Sequence, residues 1–463
     1  MKLRLLATSL IGAALMAACG GSDDGHDADT GNPATCSVPD RKAWLRDYMA
    51  DWYFWYKLSP SPDPTTYFTV DDYFGALLYP GSTAPNADFP DSDRWSYLQS
   101  TESFDRFYGD GATLGYGVFV AGDEVVGSPA SPLLVRYVEP MSPAATAGVK
   151  RGDRILTVNG RAAADIIAAD DFSALTPAAE GDTLALSLRD ANGDRNVMLT
   201  ASVFPLVPVP TSTIVTSPNG RKMGYIVVKD MISQALRPMA TTFQGFKSQG
   251  VQEVVLDLRY NGGGLVSTAG RVASQAVGAL AGGQAFASLL YNDQQASRNQ
   301  TFEFENLASS LAMTRVYVLM GHRTCSASEQ VINGLRGVGV DVVAIGDTTC
   351  GKPVGFLPTD DGCGTTYSAV NFESVNARVE GRYFDGFAPT ERTDASDTCR
   401  VADDFTTPLG TPTEPLLAAA RLHADTGACG YVPVAREQAL SVERWQVRRR
   451  GGEPAERTDM IGR

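Results

Sequence analysis

The spacing of apolar residues changes twice along the chain, which indicates three structural regions. Between residues 38 and about 105, aromatic and aliphatic residues recur every three or four positions, and this spacing predicts one buried stripe of a helix. The series consists of Leu45, Tyr48, Met49, Trp52, Trp55 and Tyr56. We interpret residues 39–108 as a helical N-terminal domain that packs its aromatic residues inward; the alternative is a partner or substrate surface.

Short apolar runs separated by turns follow between residues 112 and 204, and they predict a β-rich domain. Asn159-Gly160 is a strong hairpin signal. The segment 142–160 resembles the centre of the PDZ domain of bacterial proteases. Such domains bind an extended peptide as an added strand and hold its terminal carboxylate with backbone N–H groups. By this resemblance, the carboxylate-binding loop consists of Leu114, Gly115, Tyr116 and Gly117.

Strand and helix patterns alternate in the third region, residues 212–432. Buried strands are predicted at Met223–Val228, Val254–Leu258, Val316–Met320 and Val342–Ile345, with helical patterns between them. This alternation predicts an α/β domain with a substantial parallel component.

Both ends of the sequence carry separate signals. Two basic residues precede the apolar run Leu5–Met16, and small residues lead into Cys19. The run is too short for a permanent transmembrane helix and is typical of an export signal. The small residues directly before Cys19 resemble the lipobox of bacterial lipoproteins. This resemblance implies a signal peptide over 1–18, a lipidated Cys19 and a flexible tether over 19–38. It also implies that the protein is anchored in the cell envelope, on the outer membrane, and faces the periplasm. A plain cleaved signal peptide is the alternative. Residues 433–463 are predicted to be a disordered tail.

Charge and cysteine content narrow the possible functions. The chain has 39 basic and 53 acidic residues, a net charge of −14, which argues against nucleic-acid binding. Without Cys19, six cysteines remain, and an even number in an exported chain predicts three disulfides. The preferred pairs are Cys325–Cys350, Cys363–Cys399 and Cys36–Cys429. No CxxC pair occurs and histidine is scarce, so no metal site is predicted.

Ser326 is the candidate nucleophile. It lies in the segment Thr324-Cys325-Ser326-Ala327-Ser328-Glu329-Gln330, between a predicted buried strand and an apolar helix. A helix N-terminus offers unpaired N–H groups and a favourable dipole for developing negative charge. The alternative is that Ser326 or Ser328 only caps this helix.

Lys352 is the candidate general base. Such a lysine needs burial or charged neighbours to bring its pKa toward neutrality. A Cys325–Cys350 bridge would hold the lysine segment against the serine segment. An exposed loop lysine is the alternative.

A third segment, a buried strand running into Gly262-Gly263-Gly264, lets backbone N–H groups approach a substrate. The N–H of Gly263 or Gly264, with that of Ala327, is the predicted oxyanion hole.

The order of these motifs resembles the carboxyl-terminal processing (tail-specific) serine peptidases. The matching features are a PDZ segment, Asp-Leu-Arg-x-Asn-x-Gly-Gly, Ser-Ala-Ser-Glu and Gly-Lys, with the lysine 26 residues after the serine. The resemblance selects Ser326 over Ser328, and it implies a Ser–Lys dyad, a crotonase-like catalytic domain of ββα units, and cleavage near protein C-termini. Many members carry Gln four residues after the lysine, where this chain has Phe356, so a third catalytic partner is unassigned.

The sequence therefore predicts an exported serine endopeptidase that needs no cofactor. Its expected partners are polypeptides with free C-termini, and its only expected membrane contact is the lipid anchor. The alternative is a catalytically weak or inactive peptidase-like protein that binds peptides.

Overall fold

The computed structural model describes residues 31–81, 89–121, 132–391, 398–430 and 459–462. The predicted signal peptide, the predicted lipidation site Cys19 and most of the predicted tether lie outside these ranges. None of the helices inside them combines the length and the apolar character needed to cross a bilayer.

The N-terminal region is helical and shares its core with the C-terminal region. Its elements are α1 (Val38–Trp52), α2 (Val70–Leu77), β1 (Tyr97–Ser100) and α3 (Thr101–Tyr108), with 3₁₀ turns at Tyr56–Leu58 and Pro64–Thr66. Most of its buried aromatic residues belong to the same apolar cluster as the strands of the C-terminal region, whereas Phe104, Phe107 and Tyr108 of α3 lie in a smaller cluster. For example, the rings of Trp44 and Tyr367 lie 5.3 Å apart. The predicted inward packing is therefore present, but the described residues of this region do not form a core separate from that of the C-terminal region.

The middle region forms its own β-rich domain. It contains β2 (Ala112–Gly115), β3 (Val118–Ala121), β4 (Leu133–Val138), α4 (Pro143–Thr146), β5 (Arg154–Val158), β6 (Arg161–Ala162), α5 (Ala163–Ala169), β7 (Thr183–Asp190), β8 (Gly193–Thr200) and β9 (Ser202–Pro205). The main sheet has the order β3-β4-β5-β7-β8, with β6 paired to β5, whereas β2 pairs with β9. The alternating inward residues of these strands form a second apolar cluster, distinct from the main one.

The C-terminal region is mixed α/β. Its elements are β10 (Ser212–Thr216), β11 (Lys222–Val227), α6 (Leu236–Ser248), β12 (Glu253–Asp257), β13 (Gly264–Leu265), α7 (Val266–Ala281), β14 (Ala285–Tyr291), β15 (Gln300–Glu303), β16 (Arg315–Met320), α8 (Ala327–Gly337), β17 (Asp341–Gly346), β18 (Val354–Phe356), β19 (Thr359–Asp360), β20 (Thr365–Ser368), β21 (Val370–Val375), α9 (Pro415–Thr426) and β22 (Met460–Ile461). The four predicted strands correspond to β11, β12, β16 and β17, and they are confirmed.

Three sheets organise this region. The first has the order β10-β11-β12-β16-β17 and is parallel from β11 onward. The second has the order β13-β22-β18-β21-β14-β15, and the third joins β1 to β20 and β19. Loops at the carboxyl ends of β12 and β16 meet the second sheet, and the candidate site lies where they meet. The prediction of a disordered tail over 433–463 is wrong for residues 459–462, because β22 lies inside the second sheet.

Two predicted disulfide pairs are also wrong. The structure pairs Cys36 with Cys363 and Cys399 with Cys429. The first bridge fastens the start of α1 to the turn before β20, and the second fastens the chain after α9 to a segment bonded to Gly346 at the end of β17. Sequence spacing could not show these proximities, because they depend on how the helices dock on the sheets.

Candidate active site

Ser326 occupies a strained turn between β16 and α8. Its φ of 61° and ψ of −120° lie in a region that residues with a side chain rarely adopt. The side chain is buried, and its Oγ has no hydrogen-bond partner in the part of the chain that the structure describes. The same holds for the Oγ of Ser328. Only Ser326, however, has its Cβ against Gly263, within 2.9 Å of where a Cβ on that glycine would stand.

Glu329 connects the serine turn to the lysine loop. One carboxylate oxygen, Oε2, accepts hydrogen bonds from the backbone N–H groups of Ser326 and Lys352, each at 2.8 Å. Oε1 accepts from the Gly351 N–H at 2.8 Å and from the Thr349 hydroxyl at 2.5 Å. Burial raises the pKa of Glu329, and these donors oppose the rise.

Glu329 is part of the motif that contains Ser326, but the sequence alone did not indicate a role for it. Its signal was the acidic residue three positions after a serine at a helix start, the spacing of a capping box. In the structure, the carboxylate holds two separate segments in place and does more than cap the N-terminus of α8.

Lys352 is buried with its amine over an aromatic ring. The Nζ atom lies 3.8 Å from the centroid of the Phe356 ring. Burial lowers the pKa of Lys352 to about 8, against the opposing charges of Asp459, Asp93 and Glu329. Phe356 cannot donate or accept a hydrogen bond as glutamine does, but its ring face contacts the amine directly. The alternative of an exposed loop lysine is wrong.

The Cys325–Cys350 disulfide is present and links the same two segments. The backbone N–H of Cys350 also donates to Thr324 O at 3.1 Å. In the described ranges, Cys325, Cys350 and Glu329 form the one cluster close enough to hold a metal ion. Because the two sulfurs are joined in the disulfide, they are not available as thiolate ligands.

Two backbone N–H groups point at one carbonyl oxygen beside Ser326. That oxygen belongs to Asp459 and lies 2.5 Å from the Gly264 nitrogen and 3.5 Å from the Ala327 nitrogen. Two N–H donors on one oxygen is the arrangement expected of the predicted oxyanion hole. The Gly263 N–H instead donates to the side-chain oxygen of Asn261 at 2.9 Å. Of the two glycines proposed as donors, the structure therefore places Gly264 at the oxygen and not Gly263.

The glycines at this turn are required by geometry. Gly263 and Gly264 have φ values of 110° and 131°. A Cβ on Gly263 would stand 2.1 Å from the Asp459 oxygen, and one on Gly264 would stand 2.4 Å from Met231 O. Only glycine allows the chain to approach a bound carbonyl group this closely.

The β-rich middle domain contacts the C-terminal region through Arg151. Its guanidinium donates to the Tyr260 hydroxyl at 2.6 Å and pairs with Asp403 at 3.1 Å. Tyr260 directly precedes Asn261 and the glycine turn. The predicted carboxylate loop Leu114–Gly117 lies at the end of β2 and the turn into β3, where Gly117 packs against Ser142.

Comparison with known families agrees with this architecture. Residues 222–373 match the model described as Peptidase family S41, residues 40–97 match the Peptidase S41 N-terminal domain, and residues 134–189 match a PDZ domain. The predicted fold class, a helical N-terminal domain followed by PDZ-like and mixed α/β catalytic domains, is confirmed.

Individual relatives are more distant. The chain is 26% identical over 245 residues to a carboxyl-terminal-processing protease of Picosynechococcus sp., covering 51% of this chain and 55% of the relative. It is 27% identical over 267 residues to the chloroplastic carboxyl-terminal-processing peptidase 3 of Arabidopsis thaliana, covering 53% of this chain and 47% of the relative. The chain thus spans about half the length of the curated relatives it matches.

A solved structure covers more of the fold. A putative S41 protease from Bacteroides fragilis superposes with a TM-score of 0.62 at 26% identity, covering 83% of this chain and 97% of that one. The chain therefore contains three segments that are similar, in order, to the N-terminal domain of peptidase family S41, to a PDZ domain and to the S41 peptidase domain.

Proposed function

We propose that this chain is a serine endopeptidase in which Ser326 is the nucleophile and Lys352 the general base. One observation carries the proposal: the N–H groups of Gly264 and Ala327 converge on a single carbonyl oxygen beside Ser326. Donors fixed in this way stabilise the oxyanion of acyl transfer, usually the largest electrostatic contribution to such catalysis.

The reaction proceeds by acyl transfer. The neutral amine of Lys352 takes the proton of Ser326 Oγ, and Oγ attacks the substrate carbonyl carbon. The oxyanion that forms is held by Gly264 and Ala327. The lysine then gives the proton to the leaving amine, and water hydrolyses the acyl-enzyme.

Burial supplies the base in its active form. With a pKa of about 8, roughly a tenth of Lys352 is neutral at pH 7, compared with less than a thousandth for an exposed lysine. Glu329 fixes the backbone of both catalytic residues, so the hydroxyl and the amine keep their relative placement. Such pre-organisation lowers the entropy cost of reaching the transition state.

The PDZ domain is proposed to recruit polypeptides through their free C-termini. Its support is the PDZ match, the loop Leu114–Gly117, and the carboxyl-terminal-processing names of the relatives. We also propose export and lipidation at Cys19, with the protein facing the periplasm. Replacing Cys19→Ala should move the chain from the membrane fraction to the soluble fraction.

The catalytic proposal is tested with three matched variants. Ser326→Ala and Lys352→Ala should each abolish cleavage of peptides with free carboxyl ends, whereas Ser328→Ala, a buried serine two residues away, should keep near wild-type activity. Circular dichroism checks that each variant is folded. Wild-type turnover in Ser326→Ala or Lys352→Ala, or loss confined to Ser328→Ala, would refute the assignment.

The PDZ role is tested separately. The same peptides, amidated at the C-terminus, should bind the wild-type chain more weakly than the free acids. Equal binding of the two forms would count against carboxylate recognition.

A further inference from the structure

The active-site cleft already contains a strand of this same chain. We call residues Asp459–Gly462 the cleft strand. Its central pair, Met460–Ile461, runs parallel to β13, which carries Gly264, and to β18, which ends at Phe356. The cleft strand therefore lies between the oxyanion donors and the loop of the lysine. Strand addition of this kind is a general mode of peptide recognition.

The cleft strand is buried as completely as the protein core. Asp459, Met460 and Ile461 have exposed fractions of 0%, 0% and 1%. The Gly462 N–H donates to Phe356 O at 3.1 Å, which continues the pairing beyond β22. An incidental surface contact would leave part of such a segment exposed. The complete burial therefore indicates that the cleft strand occupies a peptide-binding site.

The register of the cleft strand identifies one peptide bond. The carbonyl oxygen held by Gly264 and Ala327 is that of Asp459, next to the Cβ of Ser326. In acyl transfer, the carbonyl group in the oxyanion hole is the one attacked. The bond positioned for cleavage is therefore Asp459–Met460.

A specific subsite surrounds the Asp459 side chain. The Tyr97 hydroxyl donates to both carboxyl oxygens at 2.9 Å, and the Tyr108 hydroxyl donates to Oδ2 at 2.5 Å. Two hydroxyl donors match the two oxygens of an acidic side chain. An apolar residue at this position would leave both tyrosine hydroxyls without an acceptor. Aspartate has the length that places its carboxyl group at both tyrosines.

The residues after the bond are also accommodated. Ile461 lies in a small apolar cluster with Phe104 and Phe107 of α3, and Met460 belongs to the main core cluster. Gly462 fits tightly, because a Cβ there would stand 3.0 Å from Leu289. These pockets favour apolar residues directly after the cleaved bond.

We infer that the Ser326 site cleaves the Asp459–Met460 bond of this chain and selects aspartate before the scissile bond through Tyr97 and Tyr108. This inference rests on the proposed function. Ser326 Oγ forms an ester with the Asp459 carbonyl carbon as the C–N bond to Met460 breaks. The serine proton passes through Lys352 to the Met460 nitrogen. Water then splits the ester, which restores the hydroxyl of Ser326 and leaves a carboxylate on Asp459.

Self-cleavage is tested by intact-mass spectrometry of the purified full chain at pH 9. The wild type should lose the mass of Met-Ile-Gly-Arg, and Ser326→Ala should keep it. If the wild type stays intact while it cleaves the peptides used for the proposed function, this inference falls and the proposed function stands. If it cleaves neither, both fall. Loss of the same fragment from Ser326→Ala would assign the cut to another protease and overturn the inference.

Selectivity is tested in trans with the peptide Ala-Glu-Arg-Thr-Asp-Met-Ile-Gly-Arg, the sequence of residues 455–463. At pH 9, kcat/KM should be about tenfold or more higher than for the same peptide with Asn in place of Asp, as expected for a charged hydrogen-bonded pair. Tyr97→Phe and Tyr108→Phe should each reduce this ratio. Tyr56→Phe is the matched control, because it removes a similar tyrosine–aspartate bond, to Asp293, outside the cleft. An unchanged ratio in both cleft variants would overturn the subsite.

Discussion

Replacing Glu329→Gln tests whether one carboxylate organises the catalytic pair. The glutamine amide has a single oxygen. If that oxygen faces Ser326 and Lys352, it accepts the hydrogen bonds of both backbone N–H groups. The Thr349 hydroxyl can then rotate and accept from the new NH₂ group, but the Gly351 N–H cannot. The variant therefore keeps the hydrogen bonds to the backbone N–H groups of Ser326 and Lys352. It leaves the buried N–H of Gly351 facing the new NH₂ group, which is also a donor.

The magnitude follows from that count. One unsatisfied buried N–H costs about 1–3 kcal/mol, so the free energy of unfolding should fall by about that amount. The second effect is electrostatic. The negative charge of Glu329 raises the pKa of Lys352, so its loss should move that pKa below its present value of about 8. The neutral, reactive amine would then be present at lower pH.

Two measurements separate these effects. Denaturant unfolding gives the stability change, and kcat/KM measured from pH 6 to 10 gives the pKa of the base. Glu305→Gln serves as the control, since it removes an exposed carboxylate paired with Arg271. A purely structural role for Glu329 would lower stability and leave the pH profile unmoved. An unchanged midpoint together with unchanged stability would refute the reasoning altogether.

The remaining predictions concern the same site. In the wild type, kcat/KM should rise about tenfold per pH unit below pH 8 and level off above it, because only neutral Lys352 accepts the serine proton; a flat profile would contradict the lysine base. Phe356→Leu should lower the midpoint of that profile by about 0.7–1.5 pH units, since the ring face favours the charged amine by about 1–2 kcal/mol. Gly264→Ala should abolish turnover and cost about 1–3 kcal/mol of stability in denaturant unfolding, because its φ of 131° and its nearest carbonyl oxygen leave no room for a Cβ.

Features encoded by neighbouring residues were predictable from the sequence. The strands β11, β12, β16 and β17 are continuous apolar runs, as expected for parallel strands covered on both faces. The Cys325–Cys350 pair was predicted from its two flanking motifs. In these cases a short stretch of sequence carries the whole signal.

Features that depend on docking were not predictable. The partners of Cys36 and Cys399 follow from where α1 and α9 pack. The cleft strand contains only two apolar residues in a polar stretch of sequence, so no periodic pattern predicted a strand there. Its burial comes from the slot between β13 and β18 rather than from any hydrophobic pattern of its own.

The cleft strand also affects the base that acts on it. Among the charges that raise the pKa of Lys352, Asp459 is the strongest. At pH 7 an aspartate before the scissile bond therefore gains two tyrosine hydrogen bonds but keeps more of the lysine protonated, whereas asparagine loses the charge and frees the base. Above pH 8 the lysine is neutral with either residue, and only the hydrogen bonds distinguish them. The Asp-to-Asn ratio of kcat, whose pH dependence reports the enzyme–substrate complex, should consequently be smaller at pH 7 than at pH 9. A ratio that stays constant or falls as the pH rises would show that Asp459 and Lys352 do not interact in the occupied cleft.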